Sequence, residues 1–179
     1  AQTTLPQKHD IVCYQCGFAF TITGRLKDTI CPKCRTTLEA RDIIIENAWN
    51  GTVRTIGTVT IRSGSVLTDA VIIARNIDLS APVSEVEINA NTIELGNGAN
   101  FENCSLKLQN IIVKEDAKIK LNQEIRCHNL TIYGQLSANI SAADMVTVKE
   151  SGSFQGELNT SRLVVEIGGG LKGKIYVKH

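Results

Sequence analysis

The sequence predicts an all-β protein, a three-sided β-solenoid preceded by a small zinc ribbon. Three observations carry that reading. Apolar and polar residues alternate from about residue 41 onward, the alternating pairs recur at nearly constant intervals, and four of the six cysteines form two matched Cys-x-x-Cys knuckles before residue 40. A shift in composition near residue 40 divides the chain into a ribbon at 1–40 and a solenoid at 41–179.

Alternation with period two is the signature of a strand with one buried face. The pairs Ile43/Ile45, Val59/Ile61, Ile77/Leu79, Ile93/Leu95, Ile111/Val113, Leu130/Ile132, Val146/Val148 and Leu163/Val165 start at successive offsets of 16, 18, 16, 18, 19, 16 and 17. A second ladder keeps step: Val66, Val83, Phe101, Ile119, Leu136, Phe154 and Leu171. A third runs Ile72, Ile88, Leu106, Ile125, Ile140, Leu158 and Ile175. Corners such as Ser63-Gly64-Ser65 and Gly168-Gly169-Gly170 separate the ladders and tolerate positive φ. Three apolar stations per repeat describe a coil of three short strands per turn, in which each rung buries its inward side chains on its neighbours. A β-sandwich also alternates, but it does not keep three ladders in register over so many repeats.

Bulk properties narrow the function. With 19 Lys and Arg against 18 Asp and Glu, the net charge of +1 gives no field that singles out nucleic acid or an anionic membrane as partner. No apolar run approaches the roughly 20 residues needed to span a bilayer, and Ala1 to Asp10 does not resemble a secretory signal, so a cytoplasmic location is expected. Cysteines in that compartment remain thiols, which favours metal over disulfide. Lys178 and His179 resemble the start of a purification tag and carry no weight.

The knuckles Cys13-Tyr-Gln-Cys16 and Cys31-Pro-Lys-Cys34 are separated by fourteen residues, the spacing of a zinc ribbon. Four thiolates fill a tetrahedral Zn²⁺, so the one ion expected is structural, with no open position for chemistry. Phe18 to Ile22, followed by Gly24, reads as a strand and turn of the ribbon. His9 is surplus to the ligand set and expected to be solvated. Cys104 and Cys127 are read as buried fillers on the rungs. Arg25, Lys27, Lys33 and Arg35 are read as a solvated, mildly basic surface.

The stretch from Leu130-Thr-Ile132-Tyr-Gly-Gln-Leu136, through Val146 to Leu158, to Leu163-Val-Val165-Glu-Ile-Gly-Gly-Gly-Leu171-Lys-Gly173-Lys-Ile175 resembles the bactofilin domain. The resemblance extends over residues 41–179 and is most specific at the apolar-x-Gly-x-apolar corners Phe154/Gly156/Leu158 and Leu171/Gly173/Ile175. Val83 to Ile88 lacks that glycine. The resemblance implies a right-handed β-helix that assembles into nonpolar filaments without nucleotide, and no GxxxxGK[ST] phosphate loop occurs in the chain. It also implies filaments at the cytoplasmic face of the membrane that recruit cell-wall or shape-determining proteins. The short apolar N-terminal segment through which that family often meets the membrane has no counterpart here, and direct membrane binding is not expected.

Self-assembly has a physical motive as well. Terminal rungs of a solenoid present an apolar cross-section and unpaired strand edges unless capped. The expected polymerisation surfaces are therefore Ile43, Ile45 and Trp49 at one end and Leu171, Ile175 and Val177 at the other. Catalysis is not expected. The three histidines, His9, His128 and His179, do not fit a hexapeptide acyltransferase, and the acids scatter singly. The rival reading is an adaptor whose ribbon binds nucleic acid or protein while the solenoid serves as an oligomerising platform.

Overall fold

The computed structural model of the protein describes residues 5–178; Ala1 to Thr4 and His179 lie outside the described residues. The strands in chain order are β1 (Lys8–Val12), β2 (Ala19–Thr23), β3 (Thr29–Ile30), β4 (Thr37–Leu38), β5 (Ile43–Ile45), β6 (Ala48–Arg54), β7 (Thr58–Ile61) and β8 (Val66–Leu79). They continue as β9 (Pro82–Ser84), β10 (Glu87–Leu95), β11 (Asn100–Glu102), β12 (Ser105–Val113), β13 (Lys118–Lys120), β14 (Ile125–Ile132), β15 (Gln135–Val148), β16 (Ser153–Val165) and β17 (Gly170–Val177). Strands β1 to β4 form two small antiparallel pairs. Every pairing from β5 onward is parallel, each rung bonded to the rungs before and after it, which is a β-solenoid.

The first ladder is continuous through eight rungs. Ile43 pairs Val59, then Ile77, Ile93, Ile111, Leu130, Val146 and Leu163 in turn, and Ile45 heads the parallel series that ends at Val165. Stacking branched aliphatics at one station of every rung removes them from water, at about 1.5–3 kcal/mol for each fully buried side chain. The third ladder pairs as expected over Ile72, Ile88 and Leu106 and again over Ile125, Ile140, Leu158 and Ile175, with Val53 of the first rung added below Ile72.

The second ladder needs one correction. Val66 is 58% exposed, and its neighbour Leu67, at 5%, is the inward residue that pairs with Trp49. The cause is the preceding turn. Ser65 N donates to Arg62 O at 3.1 Å, and the buried Ser65 hydroxyl lies within hydrogen-bond distance of the carbonyls of Ile45 and Arg62. Ser65 thus occupies an inward place, so alternation sends Val66 out and Leu67 in. The same small, buried station recurs at Ala81, Ala99, Ala117, Gly134 and Gly152, a fourth ladder that hydrophobic patterning does not reveal.

The corner between the second and third ladders takes two forms. In rungs one, seven and eight, four residues separate the stations and a glycine sits midway: Trp49-x-Gly51-x-Val53, Phe154-x-Gly156-x-Leu158 and Leu171-x-Gly173-x-Ile175, with φ of 107°, 135° and 126°. In rungs two to four, five residues separate them, and Asp69, Glu85 and Asn103 take the left-handed conformation at φ of 47°, 54° and 51°. The extra residue lets a side chain be carried through the corner.

The ribbon has its own apolar cluster of Ile11, Cys13, Cys31 and Leu38, and that cluster also buries Ile56 from the solenoid segment. Ile56 N donates to Glu39 O at 2.8 Å, and the buried Thr55 hydroxyl lies 2.6 Å from Arg41 O and 3.1 Å from Glu39 O.

Candidate functional site

The two knuckles are built alike. In each, the amide four residues after the first cysteine donates to that cysteine's carbonyl, Gly17 to Cys13 at 2.8 Å and Arg35 to Cys31 at 3.0 Å. The first cysteine's amide in turn donates to the carbonyl five residues on, Phe18 at 2.9 Å and Thr36 at 3.0 Å. Gly17 and Arg35 take φ of 75° and 65°, which closes the turn and leaves both sulfurs on its inner side.

The four sulfurs all lie within 4.8 Å of one another. Cys13 Sγ is 3.7 Å from Cys34 Sγ, and Cys16 Sγ is 3.7 Å from Cys31 Sγ. Metal–sulfur bonds of about 2.3 Å in a tetrahedron give sulfur–sulfur edges of about 3.8 Å, whereas a disulfide needs about 2.05 Å. The set fits a tetrahedral thiolate site, and these four residues could hold a metal ion. Such an ion would crosslink the two hairpins and supply no chemistry, since four protein ligands close the sphere.

The thiols differ in acidity. Hydrogen bonds from the Thr36 side chain and backbone draw Cys34 down to about 6. Burial raises Cys31, but backbone hydrogen bonds from Cys34 and Lys33 outweigh it and lower it. Cys16 is pushed up to about 11, because burial and the three neighbouring sulfurs prevail over a backbone hydrogen bond at Phe18. Metal binding at such a cluster must release protons, and affinity falls with acid.

His9, expected in solvent, is instead buried and bonds through Nε2 to Gly24 O at 3.1 Å, bracing the hairpin of β1 and β2. It stands outside the cysteine cluster. Cys104 and Cys127 are buried free thiols on the rungs, also outside it, and burial pushes Cys127 up to about 12, which keeps it inert.

The residues singled out at the ends of the solenoid are exposed unequally. Ile45 is buried within the first rung, and Ile43 and Trp49 are half-buried against the core. At the other end Val165, Leu171 and Val177 are exposed, and Leu163 and Ile175 are half-buried. Strand β17 pairs only with β16, and β5 and β6 pair only with β7 and β8, so both terminal rungs carry a free parallel edge among the described residues. This combination of parallel solenoid and apolar, unpaired end leaves backbone donors and acceptors open to pairing with a further strand.

The family model described as Bactofilin: Polymer-forming cytoskeletal matches residues 104–176, from the last corner of the fourth rung to the end of the eighth. Over those 73 of the 179 residues the chain is similar to that family, a structural, polymer-forming one. No curated protein and no solved structure gave a match.

Proposed function

We propose that this protein is a cytoskeletal polymer former whose subunits join end to end, without nucleotide, into filaments that act as a scaffold for cell-shape or cell-wall proteins. The observation that carries the reading is the eighth rung. Its inward stations, buried in rungs two to seven, lie open at Val165 and Leu171, beside a strand edge with no partner among the described residues. Another rung placed there would bury those side chains and pair the edge. The family match supports the polymer role.

The ribbon is a lateral attachment. It lies beside the solenoid, where Val12 and Tyr14 share a cleft with Ile73, Arg75 and Asn91, and it leaves Ile44, Asn50 and Gly51 of the first rung exposed. That placement leaves the ribbon free to recruit a partner while both ends assemble. A cytoplasmic setting belongs to the same proposal, because a thiolate cluster needs a reducing compartment. Electron microscopy of the purified protein without nucleotide should show filaments, and monodisperse monomers across protein and salt concentrations would count decisively against the reading.

A further inference from the structure

We propose that the cleft between the ribbon and the solenoid is a docking groove for an acidic, extended peptide of a partner protein. The groove gives the ribbon's recruiting role a site, and it rests on that reading.

Strand register builds the groove. Between the third and first ladders, Arg75, Asn91 and Gln109 follow one another over rungs two to four, held by the paired residues on either side of them. Beside them Ile73, Asn89 and Lys107 form a second outward column. The first knuckle of the ribbon stands over the start of both columns, where Val12 and Tyr14 line a cleft of about 520 Å³. A second cleft of about 400 Å³ shares Gln109 and continues past Lys107, Arg126 and His128 to Ala143 of rung six. The two make a trough that runs along the stack from the ribbon.

Charge selects the occupant. No Asp or Glu lines either cleft, while Arg75, Lys107 and Arg126 do. None of these three is ion-paired among the described residues, whereas Arg41, Arg62, Lys114, Lys149 and Arg162 each have a carboxylate. Arg75 is also held in place. Its Nε donates to Ile56 O at 3.2 Å, which leaves the two terminal nitrogens for a bidentate contact with a carboxylate. The ribbon adds to the field, with five Lys and Arg against three Asp and Glu in residues 1–40.

The lining separates a peptide from other polyanions. Asn89, Asn91 and Gln109 offer amide donors and acceptors that bond to nothing else among the described residues, and these suit peptide carbonyls and amides. Val12, which is 52% exposed, and Ile73 give apolar ground for a side chain between the charges. A nucleic acid would call for a series of stacking rings, and Tyr14 is the one aromatic residue that lines the trough among the described residues. Arg75 and Lys107 stand two rungs or about 10 Å apart, with Arg126 one rung further. An extended chain advances about 3.3 Å per residue, so a run of about five residues with an acid at each end and one between spans the three cations.

Fluorescence anisotropy of the full-length protein supplied with Zn²⁺ tests the groove, with a labelled Glu-rich peptide carrying a central valine as the probe. Binding should weaken as salt rises. Arg75→Gln and Lys107→Gln should each lower the affinity roughly threefold, and together about tenfold. Lys118→Gln removes the same charge beside Gln135, outside the trough, and should leave the affinity unchanged. Because Arg75→Gln also loses the bond to Ile56, Val12→Glu provides an independent arm: it adds an acid at an exposed position and should lower the affinity at least as much. Equal weakening by Lys118→Gln, equal binding of a Lys-for-Glu counterpart, tighter binding of a single-stranded oligonucleotide of the same net charge, or no binding would overturn the proposal. Electron microscopy scores assembly separately. Filaments without peptide binding would overturn the groove alone, and peptide binding without filaments would support the groove and overturn the end-to-end reading.

Discussion

Rungs two to four and rungs six to eight build the same core and turn the same corner by different means. Upstream, Asp69, Glu85 and Asn103 carry a side chain through the left-handed region in a five-residue span. Downstream, Ala138, Gly156 and Gly173 make the turn in four, with the backbone of one rung pressed on that of the next. The family match begins at Cys104, immediately after the last of the left-handed side chains, although the first ladder runs unbroken back to Ile43. The glycine corner alone does not set the extent of the match, since the first rung has it at Gly51 and lies outside the matched residues. Burial does not discriminate, because any branched aliphatic of suitable size can fill a rung.

The sharpest break of this comparison is Gly156→Ala. A methyl group there meets the Ala138 carbonyl at 2.0 Å, a backbone atom held in the rung stack. A loss of about 3 kcal/mol or more is expected in chemical denaturation. An unchanged midpoint would mean that the downstream corners are as permissive as the upstream ones.

Metal removal extends the comparison to the ribbon, which touches only the upstream half. Chelation should unfold the ribbon and speed amide exchange at Ile56 by about tenfold or more, since that amide bonds to Glu39 O and its side chain sits in the ribbon's cluster. Exchange at Leu158 should not change. Equal acceleration at both positions would show that the rungs open as one unit.

Asn103→Gly should have a far smaller effect than the glycine replacement. Relief of the left-handed conformation opposes the added freedom of the unfolded chain, and the net change should stay within about 1 kcal/mol. A large loss would assign Asn103 a role beyond backbone geometry.

The smallest effect expected is electrostatic. The Lys149 hydrogen bond holds the Glu166 carboxyl below its usual range, and Glu166 in turn raises Lys149. Stability from Glu166 is therefore present above the unfolded carboxylate value of about 4.3 and is lost as pH falls through the lower folded value. Stability from Lys149 is present below its unfolded value and is lost as pH rises through the raised folded one. Replacing Lys149 with Met should move the Glu166 titration upward in NMR. An unmoved titration would mean that the pair is not formed in solution.

Much of this architecture was legible in the sequence because a solenoid repeats its constraints. Eight copies of one pair fixed the first ladder, and paired cysteine spacing fixed the cluster. What escaped has physical reasons. Val66 and Leu67 are both apolar, so only the inward turn of Ser65 decides which one is buried. The column through Ala99 and Gly152 is built of small residues, whose weak hydrophobic contrast leaves no periodic signal. His9 is anchored by a carbonyl fifteen residues away, and Ile56 packs against a ribbon that local pattern cannot place.

End-to-end assembly through the terminal rungs is tested most directly by the axial repeat of oriented filaments, measured by fibre diffraction or electron microscopy. Eight rungs per subunit, about 4.8 Å apart, predict a strand reflection along the filament axis and a subunit spacing of about 38 Å. A doubled repeat would indicate alternating like-end joints. A 4.8 Å reflection perpendicular to the axis, or a repeat unrelated to the rung stack, would contradict assembly through the ends.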